Sequence, residues 1–293
     1  MPEAESSETA FSVAAGRESF GSRLASAMAS RGPLCVGIDP HPGLLAAWEL
    51  NDDAAGLERF SLTVVEAVAS LAAAVKPQVA LYERHGSAGM AVLERTLAAA
   101  AEAGVLTIAD AKRGDIGSTM AAYADAWLRD GSSLAADSVT LSPYLGFESL
   151  RPALDLAAAH GRGVFVLALT SNPEGKSVQH VGGSDSVAGR IIAAAREENR
   201  RYDGAMGSVG LVVGATIGSA LDDLGLDLEA VRGPILAPGL GAQGATPADL
   251  RRTFGSAYPL VLGTSSRGIL AAGPQIAGLR RATEETLGEL LGG

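Results

Sequence analysis

Eight short apolar runs, each followed by a stretch with helical spacing, leave this chain few architectures to choose from. The runs are Leu34–Ile38, Val75–Leu81, Val105–Ala109, Ser138–Leu141, Gly163–Leu169, Val209–Val213, Ile235–Ala237 and Leu260–Gly263. Most are largely apolar instead of alternating, the pattern of strands covered on both faces in a parallel sheet. Between them, Leu57–Ala74, Ala88–Ala103, Thr119–Arg129, Leu150–His160 and Val187–Asn199 repeat apolar residues at helical spacing, and Ile276–Leu291 ends the series. So many β/α units in a chain of 293 residues suit a closed (β/α)8 TIM barrel better than an open doubly wound sheet. No Pro-, Gly- or Ser-rich linker divides them. Residues 17–293 are therefore read as one barrel domain, and the acidic, polar residues 1–16 as a flexible tail.

Composition narrows the function. Aromatics make up only 4% of the chain, so the core is built from Ala, Val, Leu and Ile. A net charge of −10 argues against a nucleic-acid partner, and any cations that bind an anionic ligand must be concentrated locally. No apolar segment approaches the ~18 residues of a membrane span. The start, MPEAESSETAF, lacks the basic and apolar regions of a signal peptide, so the reading is cytoplasmic with no membrane partner. The single cysteine, Cys35, sits in an apolar run and reads as a small buried thiol.

In a barrel of this kind, function gathers at the C-terminal ends of the strands. Polar residues fall there: Asp39 after the first run, Lys76 within the second, Asp110 and Lys112 after the third, Ser171-Asn172-Pro173 after the fifth, and Ser265-Ser266-Arg267 after the eighth. The stretch ADAKRGDIG, residues 109–117, crowds four charges beside a buried strand, where charge is costly unless paired. Asp110 and Lys112, two apart on an extended strand, project to the same side, with Lys76 entering the same mouth. Alternating carboxylates and ammoniums keep one another ionised. The competing reading is a structural salt bridge. For Asp115, at the start of the helix that follows, it is an N-terminal cap favoured by the helix dipole.

Gly239-Leu240-Gly241-Ala242-Gln243-Gly244 is formally G-x-G-x-x-G but follows the seventh strand, without the acidic residue a dinucleotide site needs. Phosphate sites in these barrels form from the loops after strands seven and eight. Gly-rich backbone N–H groups, the Gln243 amide and the Arg267 fork would supply one here, unless the glycines are merely tight turns. The P-loop-like residues 170–177 lack the first glycine. The four histidines have no metal-ligand spacing, which leaves Mg²⁺ on Asp39 and Asp110 as the remaining metal option.

Asp110-x-Lys112-x-x-Asp115, in the longer form DAKRGDIGST, resembles the signature of the orotidine 5′-phosphate decarboxylases, specifically their longer bacterial (type 2) subgroup. So do Gly37-Ile38-Asp39-Pro40, Lys76-Pro77, Ala168-Leu169-Thr170-Ser171-Asn172-Pro173, Ala237-Pro238-Gly239-x-Gly241-x-Gln243-Gly244 and Ser266-Arg267-Gly268-Ile269, in order along the chain. The resemblance implies a homodimeric barrel, free of cofactor and metal. It would convert orotidine 5′-monophosphate to uridine 5′-monophosphate (UMP) and CO2 in pyrimidine biosynthesis. It further implies that Lys112 protonates C6 and that Asp110 lies against the departing carboxylate. Lys76 and Asp39 would contact the ribose, and Ser171 the pyrimidine. Gln243 and Arg267 would take the phosphate, with Ser266 beside them and Pro238 near the base. Asp115 would enter the partner's site, with Ile116 and Thr119 beside it. Residues 175–186 and 198–208 look like insertions without an assigned role. Two rivals stand: a metal-dependent sugar-phosphate relative sharing D-x-K-x-x-D, and a non-catalytic binder of a phosphorylated ligand.

Overall fold

Eight parallel strands close on themselves in the computed structural model, which describes residues 17–241 and 244–292. They are β1 (Leu34–Ile38), β2 (Ala74–Pro77), β3 (Leu106–Arg113), β4 (Ser138–Leu141), β5 (Gly163–Leu169), β6 (Val209–Val213), β7 (Ile235–Pro238) and β8 (Val261–Ser265). Each pairs in parallel with its sequence neighbour, and β1 also pairs with β8, through Leu34–Gly263, Cys35–Thr264 and Val36–Ser265. That closure excludes the doubly wound sheet. The tail assigned to residues 1–16 and the side chain of Gln243 lie outside the described residues.

Strand periodicity places the site. Ala74, Ile108, Phe165 and Leu262 belong to a packed cluster inside the barrel. Two residues further along the same strands, Lys76, Asp110, Leu167 and Thr264 face a cavity. Because strand side chains repeat every second residue, each inward apolar residue is followed by one at the barrel mouth.

The opposite end is sealed by the helix Phe20–Arg31, whose N-terminus is capped by Ser19 accepting from the Ser22 N–H. Phe20 and Leu24 join the interior cluster, and the Phe20 ring meets Phe165 edge-on, with centroids 6.0 Å apart. A Cβ on Gly163 would stand 2.2 Å from the Phe20 ring, so only glycine admits the plug. Residues 198–208, without a role in the sequence, fasten this floor. The Asn199 side chain donates to the carbonyls of Val209 and Val231 and accepts the Val209 N–H. Met206 packs into the cluster, and Ser208 Oγ accepts the Gly21 N–H at 3.1 Å.

Three elements differ most from the sequence expectation. β2 ends at Pro77, where Leu81 was expected: Gln78 makes a single bridge to Asp110, and residues Ala80–Glu83 turn helical. Pro77, which cannot donate to a ladder, and the polar Gln78 interrupt the run and mark the stop. β3 continues to Arg113, where Ala109 was expected, so Asp110, Lys112 and Arg113 lie inside the strand, Lys112 facing Asp110 and Arg113 facing Glu83. The helix expected over Leu57–Ala74 is Ala54–Val68, capped by Asp53 on the Gly56 N–H at 2.9 Å. Alanine favours helix, so the Ala-rich run that follows it hides the stop.

Candidate active site

The charges crowded along β3 converge on one carboxylate. Asp110 Oδ2 accepts from Lys76 Nζ at 2.8 Å and Gln78 Nε2 at 3.1 Å, and Oδ1 from Lys112 Nζ at 2.6 Å and Thr140 Oγ1 at 3.0 Å. Lys76 and Asp110 are only 5% and 7% exposed, whereas Lys112 reaches into the open mouth. Burial alone would raise the Asp110 pKa, but the ammoniums of Lys76 and Lys112 outweigh it and hold the carboxyl well below its usual range. For Lys76, burial pulls the pKa down while Asp110 and then Asp39 push it higher still, so this buried ammonium stays charged.

Local backbone geometry aims Lys112. The β3–β4 register shifts between Ala109 and Arg113, and Lys112 takes a left-handed φ of 48°. Such a conformation is uncommon for a residue with a Cβ, and bulges re-aim side chains beside active sites. Thr140 holds it by accepting the Lys112 N–H at 2.9 Å with the hydroxyl that also donates to Asp110.

Across the mouth, Ser266 Oγ donates to Asp39 Oδ2 at 2.6 Å, joining the ends of β1 and β8. Gly37 makes this approach possible, since a Cβ there would lie 2.8 Å from the Cβ of Ser266. Among the described residues, Asp39 Oδ1 and Thr264 Oγ1 are buried without a hydrogen-bond partner, and both residues line the cavity. Unsatisfied buried acceptors facing a cavity suit a ligand that brings hydroxyl groups. The cavity has a volume of about 300 Å³. Leu167, Val212, Leu236 and Pro238 make one wall apolar, and Arg267 stands at the rim. It can take a molecule with a flat apolar part, hydroxyl groups and an anionic end.

Of the residues expected in the site, Asp39, Lys76, Asp110, Lys112, Pro238, Ser266 and Arg267 line this cavity. Ser171 is exposed next to Thr170, which lines it. Asp115, Ile116 and Thr119 are not among its lining residues, and Ile116 is 62% exposed. The capping alternative for Asp115 is not realised: Ile116 is the N-cap of the helix Gly117–Leu128, and among the described residues Asp115 Oδ1 accepts only the Ile116 N–H, at 2.8 Å. The described residues of the glycine-rich loop fold back on one another. The N–H groups of Gly241, Gly244 and Ala245 donate back to Ala245, Gly241 and Gly239, so they do not point at a phosphate here. Sequence reasoning missed Gln78, Thr140, Thr170, Thr264 and His41, all in or against this cavity. The two-residue repeat from Lys76 would have found Gln78, and that from Leu262 would have found Thr264. Cys35 is fully buried in the interior cluster, as a structural thiol should be.

A family model described as the orotidine 5′-phosphate decarboxylase / HUMPS family matches residues 32–282. The chain belongs to this family. Among the decarboxylases similar to it, that of Salinispora arenicola is 59% identical over 274 residues, covering 93% of this chain and 97% of the other. That of Streptomyces coelicolor is 57% identical, covering 91% and 95%. A solved Streptomyces avermitilis structure assigned the same activity superposes with a TM-score of 0.89 at 56% identity, covering 93% of this chain and 95% of that one. The Leishmania donovani OMP decarboxylase structure does so with a TM-score of 0.74 at 32% identity, covering 93% and 97%. With decarboxylase relatives this similar along their whole length, the chain is an orotidine 5′-phosphate decarboxylase, a carboxy-lyase of pyrimidine biosynthesis. Among the described residues, no helix is long and apolar enough to cross a membrane.

Proposed function

We propose that this decarboxylase works without metal or cofactor, by a fixed array of charges in which Lys112 is the proton donor. The observation that carries the reading is the saturation of Asp110. Its two oxygens already accept from two ammoniums, an amide and a hydroxyl, so a Mg²⁺ there would have to displace donors already in place. In the reaction the bond from C6 to the carboxylate breaks, CO2 leaves, and the electron pair stays in the ring plane at C6. No adjacent π-system delocalises it. The Lys112 ammonium, tethered to Asp110, stabilises that pair and transfers a proton to C6; solvent then restores the proton to Lys112. A charge held by hydrogen bonds before reaction needs no reorganisation when the carbanion forms.

The substrate's other parts fit the remaining walls. Asp39 and Lys76 receive the ribose hydroxyls, consistent with the unpartnered Asp39 Oδ1. The pyrimidine lies on the apolar wall near Pro238 and Ser171, and Arg267, beside Ser266 and with Gln243, binds the phosphate. Binding energy from that remote phosphate serves to orient the base over Lys112. Asp115, Ile116 and Thr119 act across a homodimer interface. Ile116, Tyr144 and Leu145 support this, as large apolar side chains left exposed on the loops after β3 and β4. The enzyme works in the cytoplasm, with no nucleic-acid or membrane partner.

The test is the loss of orotidine 5′-monophosphate absorbance in the presence of EDTA, for wild type and Lys112→Ala. Wild-type turnover that survives chelation and collapses in the variant, with UMP binding retained, is the expected result. Activity lost on chelation would instead assign the metal-dependent chemistry of the sugar-phosphate relatives.

A further inference from the structure

Residues 175–186 have no role in the mechanism above, yet one side chain among them is built onto the site. Thr170 lines the cavity where β5 ends, and Gln179, closing the short helical turn Lys176–Gln179, grips it from outside. Gln179 Oε1 accepts the Thr170 N–H at 2.9 Å, and Gln179 Nε2 donates to Thr170 Oγ1 at 2.7 Å. Thr170 Oγ1 donates onward to Asn172 Oδ1 at 2.6 Å, and Asn172 Nδ2 to Glu174 Oε2 at 3.0 Å. An amide is the side chain suited to this clamp, because it offers one acceptor and one donor to the same residue. The chain also keeps a clearance for it. A Cβ on Gly175 would stand 2.8 Å from Thr170 Oγ1 and 3.2 Å from both polar atoms of the Gln179 amide.

The clamp commits both donors of Thr170, its N–H and its hydroxyl, to the loop. The next hydroxyl along the chain is that of Ser171, exposed beside Thr170 and not itself among the residues lining the cavity. Its placement depends on the backbone that Gln179 fixes. We propose that Gln179 is the positioning residue for the pyrimidine end of the site: through Thr170 it sets Ser171 against the apolar wall of Leu167, Val212 and Leu236. The proposal deepens the decarboxylase reading and rests on its placement of the base. Gln179 touches no substrate atom; it acts by restricting where Ser171 can be.

The experiment titrates UMP and, separately, ribose 5-phosphate onto wild type, Gln179→Ala and Gly175→Ala by calorimetry, with kcat and KM for orotidine 5′-monophosphate measured alongside. UMP affinity should weaken roughly tenfold in both variants, about what one well-made hydrogen bond is worth, while ribose 5-phosphate binds within about twofold of wild type. KM should rise correspondingly. Unchanged UMP affinity in both variants overturns the proposal, as does an equal loss for both ligands, which would mean general damage to the loop. Should Gln179→Ala not fold, Gly175→Ala, which removes no group, carries the same test. A wild type that neither binds UMP nor turns over the substrate would overturn the decarboxylase reading instead.

Discussion

Replacing Asp110 by Asn removes one charge and leaves almost the same shape, so it isolates what the carboxylate does for the buried lysine. An amide presents one acceptor oxygen and one donor nitrogen to four donors: Lys76, Gln78, Lys112 and Thr140. Lys112 can swing into solvent at little cost, and Thr140 can turn its hydroxyl. Lys76, 5% exposed, cannot escape and keeps a charge that only the more distant Asp39 offsets. Breaking a buried pair by removing one partner costs about 3–5 kcal/mol. The low end, about 3 kcal/mol, fits a site that opens on a water-accessible cavity, and at about 2 °C per kcal/mol for a chain this long the midpoint should fall by about 6 °C. The pH dependence gives the sharper check. In wild type the folded pKa of Lys76 is raised above its unfolded value of about 10.4, so its contribution is fully present below that pH and lost as pH rises through the folded value. In Asp110→Asn the main raising influence is gone and burial pulls the folded pKa down, so the variant sheds that proton at lower pH than wild type does. The stability gap should therefore narrow steadily between pH 7 and about pH 10 in ligand-free thermal and urea unfolding. A gap below about 1 kcal/mol at neutral pH, or one that stays constant with pH, would refute the idea that Asp110 pays for the burial of Lys76.

Further outcomes follow from the same geometry. Lys112→Ala and Asp115→Ala proteins, each inactive alone, should recover activity when mixed under conditions that exchange subunits; no recovery after confirmed exchange would count against a shared site. Phe20→Ala should lose about 3–5 kcal/mol in urea unfolding, because it empties the barrel floor, with KM little changed. Burial pushes the Cys35 thiol up to about 12, so native protein should resist thiol reagents at pH 8 and react only on unfolding; rapid labelling of the native state would contradict the packed interior.

Much of this protein was legible in its sequence, for a physical reason. Strands buried on both faces must be apolar throughout, so Leu34–Ile38, Gly163–Leu169 and Val209–Val213 announced themselves with the boundaries they keep in the fold. The charges of ADAKRGDIG stood out because so few residues in a buried strand can be ionised. Their order in the chain, joined to the loops after β5, β7 and β8, sufficed to identify the family. Where the local rule has no memory of the partner strand, the reading failed. The end of β2 was marked in the chain by Pro77 and Gln78, whereas nothing local shows that the N–H groups of Gly241, Gly244 and Ala245 donate within their own loop.

Tertiary structure alone decided which groups share the carboxylate. Thr140 and Gln78 look unremarkable in the chain and become ligands of Asp110 because barrel closure sets β2, β3 and β4 side by side in register. The same holds for Gln179, nine residues beyond the threonine it clamps, and for Phe20, which lies 145 positions from the Phe165 ring it meets. Period and composition are properties of one segment, and a sequence displays them directly. Hydrogen-bond partnership is a property of two segments brought within 3 Å, and only the folded chain has that.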